Sequence, residues 1–361
     1  MLSANGFYVY GASLFGQALV DFCVSTGTPP AAIIDANPRK SSYRGIEIMR
    51  FSEGPFDYSL PVLVTILGYQ DVEKSILERG FQSVFATYDV FRMFPDSLKM
   101  LNACGFLWMK EPISCQYDDK MIDRVCPLFA DQKSADLFLK IISYRKNPRF
   151  EDYPIPESYT MYNPPDVPLL YSGDLQILDI GAYDGDTFKM LRNEYGERIN
   201  KYCAVEASPK NVLLLENTVD ELPLSDCEVR IVHGAVGLPA GKSLLINEND
   251  SASTVRVVDI ENGDDETSGC MIPNVNLIDL SLSDYNFVKM DIEGSDFSAL
   301  QQMKSYISEN RPNLALSVYH EPDDLWKMPL LLDDVSNSGY FLYLRQEGHW
   351  LFETQLYAVR K

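Results

Sequence analysis

The feature that most constrains this chain is a buried strand that runs into a glycine turn, followed by a second strand that ends in an acid. The strand and turn read Ile177-Leu-Asp-Ile-Gly-Ala-Tyr-Asp-Gly-Asp-Thr-Phe188, and Glu206 ends the second strand. Glu206 follows Gly185 by 21 residues (206 − 185), a spacing at which an acid receives the hydroxyls of a nucleoside ribose. The turn is not a full phosphate loop. The pattern therefore predicts a βαβ unit that binds a nucleoside-type ligand without cradling a pyrophosphate.

Strand and helix patterns alternate in two separate stretches of the chain. Residues 1–95 read as a small Rossmann-like α/β domain, and 96–170 as a helical, proline-rich linker that covers the second domain's pocket. Residues 171–361 predict a doubly wound, mainly parallel sheet with an antiparallel end. The polar, acidic segment 247–270 is predicted to be a mobile loop over the sheet edge.

The negative charge of the chain is concentrated in its second half. The net charge is −21, and residues 171–361 hold 15 Lys and Arg against 32 Asp and Glu, which is −17 of the total. Such a surface repels a phosphate backbone, so we expect no nucleic-acid partner. A small-molecule or glycan acceptor remains as the expected partner, and a homo-oligomer is left open.

The cysteine pattern indicates a reducing compartment, and the hydropathy pattern indicates that no segment spans a membrane. The seven cysteines are odd in number and dispersed, without a C-x-x-C pair, which disfavours a disulfide framework or a zinc site. We recognise no signal peptide before the first strand, and no apolar run reaches the roughly 18 residues that a membrane span requires. The expectation is a cytoplasmic protein with no membrane span.

Two further strand ends carry groups suited to chemistry. Asp291 and Glu293 follow the strand Phe287-Val-Lys-Met, at the sheet edge expected for Asp179 and Glu206. Four acids at one edge call for a cation, either a sulfonium or a divalent metal such as Mg²⁺, and both stay open. Lys289, within the strand, is expected to face outward. No residue is assigned as a metal ligand.

His320 follows the next strand and is expected to reach the same pocket. An imidazole with a pKa near 6.5 is a competent general base for a hydroxyl acceptor. His320 is the first candidate for that role and Asp291 the second. His233, in the third strand, is expected to shape the pocket rather than to carry chemistry.

Taken together, these motifs resemble the FkbM family of S-adenosylmethionine-dependent methyltransferases. The matching stretches are Asp179-Ile-Gly-Ala-Tyr-Asp-Gly, Glu206-Ala-Ser-Pro, Lys289-Met-Asp-Ile-Glu-Gly, Tyr319-His320 and Glu353-Thr-Gln-Leu-Tyr-Ala358. The resemblance covers about 170–361 and implies a class I methyltransferase fold, with S-adenosylmethionine as cofactor. Residues expected on the cofactor side are Asp179, Gly181, Ala182, Tyr183, Gly185, Glu206, Ser208, His233, Gly234 and Ala235. Asp291 and His320 fall on the acceptor side.

The first domain carries a weaker pattern. Gly11-Ala-Ser-Leu-Phe-Gly16 keeps two glycines of the dinucleotide fingerprint, with Ser13 where the middle glycine would stand, and Asp35 ends the second strand. The domain resembles the small Rossmann-like domains of sugar-modifying enzymes. Ser13 and Asp35 are candidates for binding a nucleotide or nucleotide-sugar, and the alternative is a docking or vestigial domain.

The resemblance to the FkbM family implies O-methylation of a sugar hydroxyl, on a glycan, a nucleotide-sugar or a glycosylated metabolite. Tyr319, Trp326 and Trp350 could supply flat faces for the sugar or could lie in the core. Two alternatives remain open. One is a non-catalytic nucleotide-binding or scaffold protein, and the other is an oxidoreductase that works through residues 1–95.

Overall fold

A computed structural model describes most of the chain. The described residues are 6–66, 70–97, 100, 119–146, 152–169, 173–224, 226–239, 241–249, 252–259, 270–348 and 352–361. The chain divides into two compact units, one of Met1–Gln116 with Lys140–Tyr153, the other of Tyr117–Leu139 with Pro154–Lys361. The three-part division expected from the sequence stays a prediction.

The first unit contains a six-stranded sheet with the order β3-β4-β2-β1-β5-β6. Its strands are β1 (Tyr8–Tyr10), β2 (Ala32–Asp35), β3 (Ser42–Tyr43), β4 (Ile46–Arg50), β5 (Val62–Val64) and β6 (Val84–Phe85). Every pairing is parallel except that of β3 with β4. Its helices are α1 (Leu14–Ser25), α2 (Gln70–Glu78) and α3 (Thr87–Met93). A buried aromatic cluster that includes Tyr8, Phe56 and Phe81 packs against this sheet.

The second unit contains two separate sheets. One has seven strands, and the other has three strands that pair antiparallel. The strands, in chain order, are β7 (Leu175–Ile180), β8 (Ile199–Glu206), β9 (Glu228–His233), β10 (Lys242–Asn249), β11 (Ala252–Asp259), β12 (Cys270–Ile272), β13 (Phe287–Met290), β14 (Asn313–Ser317), β15 (Tyr340–Gln346) and β16 (Thr354–Arg360). The remaining helices are α4 (Asp119–Val125), α5 (Gln132–Lys146), α6 (Asp186–Tyr195), α7 (Pro209–Glu221), α8 (Asp296–Gln302), α9 (Lys304–Asn310) and α10 (Asp324–Ser336). The residues of α5 are divided between the two units.

The order of the large sheet places the crevice for a ligand. The order is β15-β16-β14-β13-β7-β8-β9, in which β16 pairs antiparallel with both β15 and β14 and every other pairing is parallel. From β7 the chain passes to β8 on one side, and β13 lies on the other, so β7 is the topological switch point. Ligands of open α/β sheets bind outside the carboxyl ends of the strands at such a point. The doubly wound, mainly parallel sheet with an antiparallel end is therefore confirmed.

Apolar residues explain why these segments form central strands. Five of the six residues of β7 and all four of β13 are buried, as expected for strands covered on both faces. Phe188 on α6 stacks on Tyr202 of β8, with ring centroids 3.8 Å apart. That stack belongs to a buried cluster with Ile177 and Phe287.

Two expectations are corrected. The segment 247–270 is not a loop throughout, because Asn247–Asn249 continue β10 and Ala252–Asp259 form β11, paired from Lys242↔Asp259 to Asn249↔Ala252. Thr254 to Val258 is rich in β-branched residues, which favour a strand. The sequence of residues 297–308 also predicts a single helix, whereas the structure forms two helices there, α8 and α9, separated at Met303. In the described part of the chain, no helix is both long and apolar enough to cross a membrane.

Candidate active site

Glu206 stands at the end of β8 with its carboxylate fixed by the chain itself. It is only 8% exposed. Its Oε2 accepts a hydrogen bond from the backbone N–H of Tyr183 at 3.0 Å, and Oε1 accepts from the N–H of Ser208 at 2.8 Å and from Asn211 Nδ2 at 3.3 Å. The Ser208 hydroxyl caps α7 by accepting from the N–H of Asn211. The turn after β7 and the start of α7 thus hold Glu206 in one orientation.

Three glycines of the predicted cofactor side are required by close packing of the chain. A Cβ on Gly181 would lie 1.8 Å from the backbone oxygen of Asp291, so the ends of β7 and β13 touch there. A Cβ on Gly185 would meet Leu215, and one on Gly234 would meet Val275. Gly181 and Gly185 also have φ near +85°, which favours glycine.

Beneath this turn lies a buried ion pair. Lys289 Nζ is 3.0 Å from Asp179 Oδ1 and donates to the carbonyl of Gly181 at 2.6 Å. The Tyr202 hydroxyl donates to Asp179 Oδ2 at 2.9 Å. Burial raises the pKa of Asp179, with the Lys289 ammonium acting against that shift. Burial alone would lower the pKa of Lys289, but the carboxylates of Asp179 and Asp291 raise it. Lys289 therefore faces inward, which corrects the outward orientation expected from the sequence.

Asp291, Asp296 and His320 meet at the ends of β13 and β14. His320 is 3% exposed. Its Nδ1 lies 2.9 Å from Asp296 Oδ2, and its Nε2 lies 3.2 Å from Asp291 Oδ1 and 3.6 Å from Glu293 Oε2. Asp296 also accepts from the N–H groups of Ile292 and Gly294, both at 3.0 Å. One buried carboxylate therefore closes the loop after β13 and orients the imidazole.

The carboxylates around His320 decide its protonation. Burial alone would lower the pKa of His320, but Asp291 and Asp296 outweigh it and raise the pKa to about 11. For Asp291, the neighbouring His320 and Lys289 overcome the effect of burial and lower the pKa. At neutral pH, with these groups alone, the imidazole carries its proton and faces an ionised Asp291.

Two tyrosines and a glutamate from other segments of the chain lie near Asp291 and His320. The Tyr162 hydroxyl donates to Asp291 Oδ2 at 3.2 Å, and the Tyr319 hydroxyl donates to Glu353 Oε1 at 3.4 Å. Burial, followed by the charge of Asp291, raises the pKa of Glu353 to about 7. Tyr162, Tyr183, Glu293 and Glu353 all have φ between 52° and 59°. Left-handed backbone is uncommon in non-glycine residues, and five further described residues adopt it elsewhere in the chain.

The structure brings most of the predicted residues to this edge of the sheet. Asp179, Gly181, Ala182, Tyr183, Gly185, Glu206 and Ser208 lie at the ends of β7 and β8. Gly234 follows β9 and donates its N–H to the carbonyl of Glu206 at 2.9 Å, and Ala235 beside it is buried. His233 is exposed, with Nε2 3.1 Å from the carbonyl of Ala207. Tyr183 is 55% exposed.

The three aromatic residues suggested as flat faces for a sugar are Tyr319, Trp326 and Trp350. Trp326 is buried in the core and offers no face to a ligand. Tyr319 is also buried, and its hydroxyl donates a hydrogen bond to Glu353. Trp350 lies outside the described residues.

Sequence reasoning missed Asp296, Tyr162 and Glu353 as members of the site. Asp296 is an acid in the first turn of α8 and reads as an ordinary helix-start residue. Tyr162 lies in the stretch taken for a linker, and nothing local marks it. Glu353 was visible only as part of a matching motif.

A metal could be held here. Ligand atoms of Asp291, Asp296 and His320 lie within 4.8 Å of one another.

Comparison with known proteins shows which family the second half of the chain resembles. Residues 179–348 match the family model described as Methyltransferase FkbM domain. The crystal structure of methyltransferase FkbM from Methylobacillus flagellatus KT is similar over 98% of this chain and 89% of that chain, with 19% identity and a TM-score of 0.61. That likeness confirms the class I methyltransferase fold expected from the motifs.

Two other solved structures share a smaller part of the fold. Fibrillarin from Aeropyrum pernix, in complex with S-adenosyl-L-methionine, is 11% identical, with 55% of this chain and 70% of that chain covered and a TM-score of 0.32. Precorrin-6y C5,15-methyltransferase from Geobacter metallireducens GS-15 is 16% identical, with 54% and 84% covered and a TM-score of 0.31. Likenesses this partial carry no argument about function. Among curated proteins, none matches the sequence significantly.

Proposed function

From the match of residues 179–348 to the Methyltransferase FkbM domain, we propose that the chain transfers a methyl group from S-adenosylmethionine to an oxygen of its acceptor. The proposed acceptor is a sugar hydroxyl of a glycan, a nucleotide-sugar or a glycosylated metabolite. The observation that carries the cofactor assignment is Glu206, held at the end of β8 by the N–H groups of Tyr183 and Ser208.

The donor set around Glu206 fits a ribose. A carboxylate has about four lone-pair sites. Oε2 accepts one protein donor and keeps a site for a ribose hydroxyl, and the 3.3 Å bond from Asn211 to Oε1 is long enough to be exchanged for a second. Asp179, by contrast, is committed to Lys289 and Tyr202, so its proposed part is to support the turn under the cofactor.

The acceptor side is proposed at Asp291 and His320. S-adenosylmethionine, when bound, supplies an electrophilic methyl group on a sulfonium, and the acids at this edge suit that positive charge. The residues of this edge would hold the acceptor hydroxyl in line with that methyl group, and the proton of the hydroxyl would pass to Asp291. Most of the acceleration then comes from alignment of that oxygen.

The two proposed catalytic side chains divide the remaining work. Because His320 carries its proton in this arrangement, its proposed contribution is to balance the charge of Asp291. The carboxylate of Asp291 is then the group left to receive the hydroxyl's hydrogen bond and proton.

A calorimetric titration of S-adenosylmethionine tests this assignment. Wild type is expected to bind in the micromolar range, and Glu206→Ala to weaken binding by tenfold or more, about 1.4 kcal/mol. Glu216→Ala, which removes an exposed acid from α7, is the matched control and should bind as wild type does. A well-folded wild type that does not bind would sink the proposal, as would equal binding by Glu206→Ala.

One observation favours a second candidate function in the first unit. The N–H of Ala12, in the turn after β1, donates to Asp35 Oδ2 at 2.8 Å, the same relation that Tyr183 has to Glu206. We propose nucleotide or nucleotide-sugar binding beside Asp35. Titration of NAD and of a uridine diphosphate sugar into the full chain and into Asp35→Ala checks it. A scaffold role would be favoured if neither ligand bound and no methyl transfer were found.

A further inference from the structure

His320 has a buried ring nitrogen, Nε2, that lacks a hydrogen-bond partner among the described residues. Nδ1 is bonded to Asp296, but Nε2 forms no hydrogen bond of acceptable geometry with any described residue, although the imidazole is almost fully buried. A buried polar atom in that state is costly and calls for a partner. The two nearest groups across from Nε2 are both carboxylates, Asp291 at 3.2 Å and Glu293 at 3.6 Å.

Two carboxylate oxygens, one of Asp291 and one of Glu293, lie at distances from His320 Nε2 that suit ligands around one cation. Ligand atoms about 2.1 Å from a metal and adjacent to one another are roughly 3.0 to 3.4 Å apart in octahedral or tetrahedral geometry. The separations of 3.2 and 3.6 Å from Nε2 approach that range without a change of backbone. Imidazole and carboxylate together suit divalent transition cations.

Asp296 plays a different part from the other two acids. It already accepts from Ile292 N–H, Gly294 N–H and His320 Nδ1. A carboxylate that takes the second ring nitrogen of a metal-binding histidine fixes its tautomer and ring orientation. The far side of the site is open, because the Glu293 side chain is 85% exposed.

We propose that Asp291, Glu293 and His320 bind a divalent cation, with Asp296 as the positioning residue behind His320. The cation's task rests on the proposed methyl transfer: it would hold the acceptor's hydroxyl oxygen beside Asp291 and lower the pKa of that hydroxyl. Cation binding itself does not depend on the cofactor. The cation would take the place of the proton on Nε2.

The test uses the full-length protein, stripped with a chelator, and Mn²⁺ as the probe at pH 8. Loss of the free Mn²⁺ signal in electron paramagnetic resonance is expected to report one ion per chain, bound in the micromolar range. Glu293→Gln and Asp291→Asn are each expected to weaken binding by tenfold or more. Glu309→Gln, an exposed acid on α9, is the matched control and should bind as wild type does. Glu293 is exposed, so its variant should fold, and urea unfolding verifies this for both variants.

Two results would overturn the proposal. One is no uptake by folded wild type at about 1 mM free Mn²⁺, which corresponds to less than about 4 kcal/mol of binding. The other is equal uptake by wild type, Glu293→Gln and Asp291→Asn, which would indicate an adventitious ion only. Titration of S-adenosylmethionine in parallel distinguishes failure of the cation site from failure of the proposed methyl transfer. Mn²⁺ binding without cofactor binding would leave the site standing and remove the proposed function, and the reverse would remove only the site.

Discussion

Lys289 and Asp179 form a buried ion pair between neighbouring strands, with Nζ 3.0 Å from Oδ1. Lys289 lies on β13 and Asp179 on β7, opposite each other in the parallel register. The same ammonium donates to the carbonyl of Gly181, so the pair joins the switch point of the sheet to the turn that faces Glu206.

Replacing this lysine should destabilise the domain strongly. Lys289→Met leaves the Asp179 carboxylate buried without its cation, and the free energy of unfolding is expected to fall by about 3 to 5 kcal/mol. Urea unfolding measures the change. The control is Lys201→Met, which removes the surface pair with Asp284 and should cost about 1 kcal/mol or less. A loss at Lys289 no larger than at Lys201 would contradict the ion pair's structural role.

Gly181 should tolerate no side chain. In Gly181→Ala the new Cβ would lie 1.8 Å from the Asp291 oxygen, in a backbone conformation with φ of +84°. The conformation alone costs about 1 to 3 kcal/mol, and the collision adds to it. Gly173→Ala is the matched control, since φ is +79° there and no atom lies within 4 Å of the new Cβ. Thermal unfolding of both variants should show a clearly larger loss for Gly181→Ala, and equal losses would refute the close approach of β7 and β13.

Tyr162 should matter for turnover more than for cofactor binding. Tyr162→Phe removes the donor to Asp291 Oδ2 and should cost about 1.5 to 3 kcal/mol of stability, the range for hydrogen bonds to charged groups. If Asp291 receives the proton of the acceptor hydroxyl, as proposed, kcat should fall while S-adenosylmethionine affinity stays near that of wild type. Tyr159→Phe loses a comparable bond to Glu347 and serves as control. If kcat falls equally in both variants, the effect comes from stability and not from Asp291.

Stability should depend on pH through Glu347. Burial raises its pKa from 4.5 to about 7, and Tyr357, Tyr159 and Glu157 are the titratable groups that face it. The folded state therefore binds more protons than the unfolded state between these values, so stability is highest below about pH 4.5 for this group and declines up to about pH 7. Urea unfolding across this range should show a shallower decline in Glu347→Gln than in wild type. An unchanged slope would show that Glu347 is ionised without penalty.

Much of the fold could be predicted because its signals are local. The apolar run before Gly181 and the acid that ends the next strand are both readable within about 30 residues, as for any βαβ unit. Segment 247–270 was misjudged because its charge and polarity suggested a loop, while β10 and β11 are held by cross-strand pairing that sequence alone does not display. The division of the helix at Met303 also lacks a proline or glycine to announce it.

The candidate site was only partly accessible to the same reasoning. Strand order brings Asp291 and His320 together, and their positions at consecutive strand ends allowed that to be anticipated. Tyr162 and Glu353 reach the site from segments that are 129 and 62 residues distant from Asp291 in the chain (291 − 162 and 353 − 291). No spacing rule connects such residues.

The sequence by itself determined the parallel sheet, its switch point and the acids that gather there, because hydrophobic periodicity and strand-end position are properties of short segments. Tertiary structure alone decided what those acids do. It committed Asp179 to Lys289, held Glu206 by the N–H groups of Tyr183 and Ser208, and surrounded His320 with carboxylates that hold its proton. The physical reason is that charge state and bonding capacity depend on burial and on partners a few ångströms away, and those partners come from distant parts of the chain.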